Sequence, residues 1–380
     1  MLKPVIYEAP DFNSDQFRNA PAAVFIPAPA DKLPPQGYAK TDVHPFYVNT
    51  EGYWHLVHKL RMDCPIVYYP NAEDPDDRLL ALEQRKIQEG DLVLIGRRKN
   101  GEQGIYVHEN GFVELGKSAH AHGFRTIKSK ESPLSYSYRR INELLDEHSA
   151  YGNILWVSGP NITYDDDCIS CFEEMIKGGK VHGFMAGNAV AVHDLESAVR
   201  HTALGSSTFD QAHEVEGDYN HLDIIRDVTE AGSIEAYVRK FQIDAGIIGP
   251  LVNGNIPFTL AGSIRDDGPL PGVISDVYVA QDIMRTYVQK ATLIFAIASQ
   301  LHSIATSNLA PSFYVENGTV KPLYFIEIDI DEGALTRLDN RGGVTVETIC
   351  DSVHGFFSGL YMARNRPLPK RSPINSARNI

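Results

Sequence analysis

Three things are scarce in this sequence. No stretch reaches the roughly 18 consecutive apolar residues that a membrane-spanning helix needs, so no membrane segment is expected. Cysteine occurs only 4 times in 380 residues, at Cys64, Cys168, Cys171 and Cys350, too few for a disulfide framework in a chain of this size. Positive charge is outweighed: 35 Lys+Arg stand against 49 Asp+Glu, a formal net charge of −14, which argues against a protein that works by neutralising phosphates along nucleic acid. The N-terminus, MLKPVIYEAPDFNSDQF, places acids and proline where a signal peptide has a basic start and an apolar run. A cytoplasmic protein with no membrane and no nucleic-acid partner is expected. Internal repeats and low-complexity tracts are also missing, and no G-x-G-x-x-G follows any expected strand.

What is present is an ordinary globular composition, 43% hydrophobic and 22% charged, long enough for two or three domains by the usual size range. Residues 1–40 are rich in Pro and Ala and read as an extended arm, because proline lacks the helix donor and restricts its predecessor. Residues 41–128 alternate short apolar runs (YWHLV, PIVYY, DLVLIG) with turn residues, the pattern of a small β-rich domain. Asn110-Gly111 predicts a hairpin there, and DRLLALEQRKI predicts one helix over Asp77–Ile87. Residues 129–150 read as a linker and a helix.

From 151 to 380 the grammar changes. Buried-strand runs at Ile154–Val157, Val181–Ala186, Pro257–Ala261, Leu293–Ala298 and Leu323–Ile328 alternate with patterns of helical period at about 165–178, Asp194–Arg200, Leu222–Ala231, Ile234–Ala245, Val277–Lys290, Glu332–Leu338 and Val353–Met362. Strands alternating with helices predict an α/β fold with a doubly wound parallel sheet, and such sheets bind ligands at the carboxyl ends of their strands.

Those strand ends carry the candidate chemistry. Asp329 closes the run LYFIEID, where a nucleotide-binding sheet puts a carboxylate on ribose hydroxyls; capping of the next helix by Asp329 or Asp331 is an equal alternative. The run TLAGSIRDDGPLPGVISD opens a strand into Arg265, Asp266 and Asp267. Arg265 suits a substrate carboxylate, and Asp266 or Asp267 suits proton transfer or an ammonium group, against the plainer reading of a self-paired surface turn. In AGNAVAVHD, Asn188 can hydrogen-bond a nicotinamide or ribose, while His193-Asp194 is either an acid/base pair or a satisfied histidine beside a cap. Ser299–Asn308 offers backbone N–H groups to a phosphate, with His302 among them, a structural histidine being an equal alternative. Cys168-x-x-Cys171 lacks a second pair and follows three acids that raise a thiol's pKa, so packing is expected there. His120 and His122 share a strand face without further ligands, and no metal is expected.

AGNAVAVHDLESAV, AGSIRDDGPLP, LHSIATSN and IDIDEGALTRLDNRG together resemble the archaeal-type ornithine cyclodeaminase family. This is also the LOR/SDH region and the C-terminal part of the bifunctional arginine dihydrolase/ornithine cyclodeaminase. GYAKTDVHPFYVNTEGYWHLVHKLRMDCPIVYY resembles the family's β-rich domain, so the resemblance covers about residues 35–360. It implies a tightly held NAD in a Rossmann-like fold similar to the NAD-binding domain of deoxyhypusine synthase, preceded by a small β-rich domain. The site residues it implies are Asn188, Ala189, Asp266, Ser299, Gln300, Leu301, His302, Asp329, Ser352 and Val353 for the cofactor, beside Arg265, Asp266 and Asp267 for catalysis. The implied reaction lends a hydride from the α-carbon of L-ornithine to NAD. The δ-amine then closes a ring as ammonia leaves, and the hydride returns to give proline. An amino-acid substrate and a homo-oligomer are implied as well. The sequence departs from the family pattern at 161–164, 200–203 and 218–221. Two other activities fit the same motifs: an amino-acid or opine-type dehydrogenase that releases NADH, and a non-catalytic NAD-binding sensor. Because NAD is an anion and the chain is acidic, backbone amides and local Arg or His must bind it.

Overall fold

The computed structural model describes residues 4–114, 134–266, 268–339 and 345–366. In the second half, strands β1 (Ile154–Ser158), β2 (Gly183–Gly187), β3 (Phe258–Ala261), β4 (Leu293–Ile297), β5 (Tyr324–Asp329) and β6 (Val346–Cys350) form one sheet in the order 3-2-1-4-5-6. Every neighbouring pair is parallel. The expected α/β fold is therefore present, in the doubly wound order of dinucleotide-binding sheets. Helices α1 (Leu134–Tyr151), α2 (Asp166–Lys177), α3 (Asn188–Arg200), α4 (Asn220–Ala231), α5 (Ile234–Phe241), α6 (Ile248–Asn253), α7 (Val277–Val288), α8 (Gln300–Leu309), α9 (Glu332–Asp339) and α10 (Val353–Asn365) fill the connections. No helix among the described residues is long and apolar enough to cross a membrane.

The period of two in each strand divides the core into two layers. Ile154, Trp156, Phe184 and Phe295 pack against α1, α2, α3 and α10 on one face. Leu155, Val157, Met185 and Ile294 meet Met284 and Val288 of α7, Leu309 of α8 and Leu338 of α9 on the other. Trp156 anchors the first layer: its ring stacks on Phe295 at 4.2 Å, and its indole N–H donates to the Lys180 carbonyl at 3.0 Å. Each such fully buried side chain contributes roughly 1.5–3 kcal/mol.

The first half is built of small antiparallel sheets. Val24–Pro27, Leu92–Ile95, Ile66–Tyr68 and Leu79–Ala81 form a four-stranded sheet in that spatial order, and Tyr53–Leu56, Phe46–Thr50 and Ile105–Val107 form a three-stranded one. The Pro-rich segment is extended, and it is sewn into these sheets. Val5–Tyr7 pairs with Phe112–Glu114, Val24–Pro27 supplies an edge strand, and Phe12 stacks on Trp54 at 5.4 Å.

Two local expectations are corrected. Asp77–Ile87 is not a helix: Leu79–Ala81 pairs with Ile66–Tyr68, with 3₁₀ turns at Pro75–Asp77 and Gln84–Lys86. Strand pairing buries Leu79 and Ala81, and the chain then turns to bring the Glu83 carboxylate inward between Arg61 and Arg285. Asn110-Gly111 is a turn but not a hairpin, because Ile105–Val107 and Phe112–Glu114 belong to different sheets. Strand β6, with Thr345, Val346, Thr348 and Ile349 in a β-branched run, and helix α8 were not expected as elements. His120, His122 and most of the linker lie outside the described residues.

The two halves join through α7. Arg285 lies at Glu83 Oε2 (3.3 Å) and donates to the backbone carbonyls of Lys59 (3.0 Å) and Ala81 (2.7 Å). Arg61 is hydrogen-bonded to the same Glu83 carboxylate, and Asp282 of α7 pairs with Arg85 and Lys86, each at 2.6 Å.

Candidate functional site

The strand order reverses between β1 and β4, so the connections leaving these strands diverge and open a crevice at the carboxyl edge. Gly159 follows β1 and Ala298 follows β4, and their backbones nearly touch. A Cβ on Gly159 would lie 1.8 Å from the Ala298 carbonyl oxygen. Hydrogen bonds from Gly159 N–H to Ile297 O and from Ala298 N–H to Ile328 O, both 2.9 Å, pin the crossing. Ala298 itself sits at φ 50°, in the left-handed region that costs an L-residue on the order of 1 kcal/mol, and such strain is typical of ligand clamps.

Two helices begin at this crevice without a side-chain cap. Gly187 is the N-cap of α3 and Ser299 that of α8, and neither donor row is satisfied by its cap side chain. The two ends are close, for a Cβ on Gly187 would lie 3.2 Å from His302 Cε1. Free N–H groups at adjoining helix N-termini form a receptor for an anion. His302 is oriented by Ser299, with Nδ1 3.2 Å from its hydroxyl. Burial pushes the His302 imidazole below its ordinary pKa, against the opposing pull of the Asp266 carboxylate.

At the next strand end, the roles of Asp329 and Asp331 separate. Asp331 caps α9, accepting from Gly333 N–H at 2.8 Å and from the Gln300 amide at 2.7 Å. Asp329 is buried and accepts the Asp331 N–H at 2.9 Å on one oxygen, while its second oxygen takes no partner among the described residues. Capping thus belongs to Asp331.

Asn188 has a different use from a free ligand contact: its side-chain oxygen accepts the Leu270 N–H at 3.0 Å and ties the 262–276 loop to the head of α3. In that loop Asp266 accepts the Ser263 N–H at 2.7 Å, and Ser263 Oγ accepts the Arg265 N–H at 3.1 Å. The turn is self-braced, with Arg265 exposed at its tip. Asp267 lies outside the described residues. Ser352 caps α10 by accepting the Gly355 N–H at 2.9 Å and keeps its O–H as a donor, while Val353 is buried in the core, so a ligand could meet Val353 only through its backbone. Leu301 and Gln300 form the first turn of α8, and Ala189 that of α3.

His193 and Asp194 are not partners. The Asp194 carboxylate is wholly buried and accepts the Ile247 and Ile248 N–H groups at 2.8 and 2.7 Å, holding the start of α6. Burial pushes this carboxyl up to about 7, in spite of the two backbone donors. Its folded pKa lies above its unfolded one, so its contribution to stability is whole below about pH 4 and is lost as pH rises through 7. Chemical denaturation between pH 4 and 7 should therefore show this loss, with a slope of at most about 1.4 kcal/mol per pH unit, and Asp194→Asn should flatten it. A slope unchanged in that variant would assign it to another group.

His193 instead meets Glu196, one helical turn on, with Nδ1 to Oε2 at 2.9 Å. Glu196 is wholly buried and also accepts from Thr202 Oγ1 (2.9 Å), Gly205 N–H (3.2 Å) and Leu204 N–H (3.3 Å). Burial alone would push this carboxyl up, but His193, the Gly205 N–H and Thr202 together hold it below its ordinary pKa. In the sequence, Glu196 is marked by its i, i+3 spacing from His193, which places both on one helix face.

The sequence and the fold have known relatives. The family described as arginine dihydrolase ArgZ-like, C-terminal, Rossmann fold matches residues 139–360. The ornithine cyclodeaminase of Methanopyrus kandleri is 35% identical over 347 residues, which cover 88% of this chain and 76% of that protein. The solved structure of a conserved LOR/SDH protein from Methanococcus maripaludis superposes with a TM-score of 0.79 at 32% identity, covering 90% of this chain and 98% of that one. AgrE of Nostoc sp. is a bifunctional arginine dihydrolase/ornithine cyclodeaminase, and one solved AgrE structure is a ternary complex with ornithine and NAD+. That structure superposes with a TM-score of 0.56 at 26% identity over 91% of this chain and 46% of its own. With these matches running through both halves of the molecule, the chain belongs to the archaeal-type ornithine cyclodeaminase family.

Proposed function

We propose that the protein is an NAD-dependent ornithine cyclodeaminase, an ammonia-lyase that converts L-ornithine to L-proline and ammonia. The observation that carries this reading is the crevice where the strand order turns. Two uncapped helix N-termini adjoin there, beside an Asp329 carboxylate oxygen that takes no partner among the described residues. A dinucleotide needs those two features, donors for its pyrophosphate and an acceptor for its ribose hydroxyls, and the residues present fit it.

Bound NAD supplies a hydride acceptor that gives back what it takes, so the overall conversion involves no net oxidation. The protein's own residues do the rest. The first N–H groups of α3 (Asn188, Ala189) and of α8 (Gln300, Leu301) would receive the pyrophosphate, which suits a chain of net charge −14 because backbone donors need no basic surface. Asp329 would hold the ribose, with Ser299 and His302 beside it. Arg265, free at the tip of its loop, would clamp the substrate carboxylate in the bidentate geometry of a guanidinium, and Asp266 would hold an ammonium group. Ser352 would meet the cofactor through its hydroxyl or backbone, and Val353 through its backbone alone.

Incubation with ornithine and NAD should give ammonia and proline in equal amounts with no lasting NADH absorbance. A rise in NADH in step with substrate consumed would favour a dehydrogenase instead. Asp329→Ala removes charge-assisted hydrogen bonds worth about 1.5–3 kcal/mol and should weaken NAD binding by roughly tenfold or more in calorimetry. An unchanged affinity would remove Asp329 from the ribose.

A further inference from the structure

We infer that His193, oriented by Glu196, is the proton-transferring residue of the ring closure, its free Nε2 taking the proton from the substrate's side-chain ammonium and returning it to the departing nitrogen. The inference rests on the cyclodeaminase reading and extends it to a residue outside the cofactor crevice.

Geometry comes first. Glu196 is sealed from water and held by donors on every side, so it is fixed as an acceptor. It therefore fixes the imidazole opposite it, with Nδ1 as the donor and the lone pair on Nε2. Nε2 takes no partner among the described residues, although His193 is only 7% exposed. The ring is walled by Tyr164, edge-on at 5.7 Å, and by His221 at 6.1 Å, whose own Nδ1 is buried and unpartnered. A buried base with an unclaimed lone pair, backed by a fixed carboxylate, is the arrangement of a general base.

Position agrees. His193 lies in the second turn of α3, the helix whose start adjoins the crevice. The loop that carries Arg265 is tied to the head of this same helix by the Leu270 N–H on Asn188 Oδ1 at 3.0 Å, and the Arg265 charge pulls down a Tyr164 phenol that burial and Glu196 push up. Residues 161–164, 200–203 and 218–221 deliver Tyr164, Thr202 and His221 to this cluster.

The chemistry balances. Ornithine enters with both nitrogens protonated, and an ammonium has no lone pair to attack with. Nε2 takes one proton from the δ-nitrogen. As the α-hydrogen leaves as hydride, the α-nitrogen gives one proton to solvent, and the freed δ-nitrogen lone pair adds to the α-carbon as its C=N π bond opens. Nε2 then returns its proton to the α-amino group, and the ring nitrogen gives its second proton to solvent. The old C–N bond breaks as ammonia departs and the ring C=N forms, and the returned hydride closes the sequence; the two solvent protons end on proline and ammonia. His193 ends as it began.

The test uses the full chain loaded with NAD. His193→Gln should keep the NAD-induced rise in melting temperature and should keep KM for ornithine within about threefold. Its kcat should fall by roughly 10²–10⁴, and added imidazole should restore part of it. The wild-type kcat/KM profile should show an acid limb, since a base is lost as pH falls. The charged groups facing the ring are Glu196, Tyr164, His221 and, beyond Tyr164, Arg265. Glu196→Gln removes the carboxylate that stabilises the imidazolium, so it should move the acid limb to lower pH. Wild-type kcat in His193→Gln overturns the inference while the cyclodeaminase reading stands. If that variant loses its fold, an acid limb unmoved in Glu196→Gln, or absent in the wild type, overturns it as well. Wild-type protein that binds NAD but frees no ammonia from ornithine removes both readings.

Discussion

Gly159→Ala is expected to abolish cofactor binding while leaving the β-rich sheets folded. The added methyl would sit 1.8 Å from a backbone carbonyl oxygen and 2.7 Å from its carbon, and neither can rotate away as a side chain could. Both partners are also tied to the sheet, through Ile297 and Ile328, so relief requires the end of β1 or β4 to move. Overpacking of ordinary core side chains costs about 1–3 kcal/mol, and a backbone clash at the switch point belongs at or above that range. A displacement of about 1 Å costs on the order of 100-fold where geometry governs chemistry. The expected result is an NAD dissociation constant raised at least 100-fold in calorimetry, with kcat falling alongside. Gly187→Ala is the internal control. Its methyl would meet the His302 ring edge at 3.2 Å, which a rotating side chain can yield, so a loss of only a few-fold is expected. Equal effects from the two substitutions would mean that the crossing of loops is not what shapes the crevice.

The second large effect is expected at Glu83, far from the crevice. Arg61, Glu83 and Arg285 are 7%, 7% and 9% exposed, so two guanidiniums share one carboxylate out of water. Burial alone would push the Glu83 carboxyl up. Its own backbone N–H, Arg285, Arg61 and Lys86 outweigh that and hold it below the ordinary carboxylate range. Glu83→Gln keeps the shape and removes the charge, leaving two buried cations uncompensated at a cost of about 3–5 kcal/mol. Denaturant titration at pH 7 should read that loss. The pH dependence has a definite sign. A depressed folded pKa stabilises above the unfolded value near 4.3, and the benefit is lost as pH falls through the folded value. Wild type should therefore lose stability below about pH 4 more steeply than the variant. Arg285→Met should cost less, because Arg61 and Glu83 remain a neutral pair. A Glu83→Gln protein as stable as wild type would mean that water reaches the network.

Much of this architecture was legible in the sequence because a parallel sheet buried on both faces writes itself as apolar runs ending in Gly, Ser, Asn or Asp. Five of the six strands stand where those runs predict them. Strand β6 escaped because edge position gives it an alternating pattern, Val346, Thr348 and Cys350 being half-buried while Glu347 and Ile349 turn inward. The Asp77–Ile87 segment misled because Leu79, Leu80 and Leu82 satisfy a helical period locally, whereas the inward-turned Glu83 depends on Arg61 and Arg285, the latter 202 residues away. At the site, the strand ends pointed to Asp329, His302 and the 262–276 loop. Which oxygen is free, and whether Asn188 holds a ligand or a loop, depends on long-range partners such as Leu270, which no local pattern encodes. For His193 the sequence leaves open a pair with Asp194 or a satisfied histidine beside a cap; consecutive helix positions face apart, and its partner stands one turn further at Glu196.

The ionic junction between Glu83 and Arg285 has a mechanical consequence. It rivets α7 to the β-rich sheets, and α7 begins where the Arg265 loop ends, at Asp276, whose carboxylate accepts the Tyr278 and Val279 N–H groups at 2.8 and 3.1 Å. The β-rich half is therefore a stator for one side of the crevice. With no swivel between the halves at α7, admission and release of small molecules fall to loop motions at the carboxyl edge away from α7, whose natural timescale is nanoseconds to microseconds.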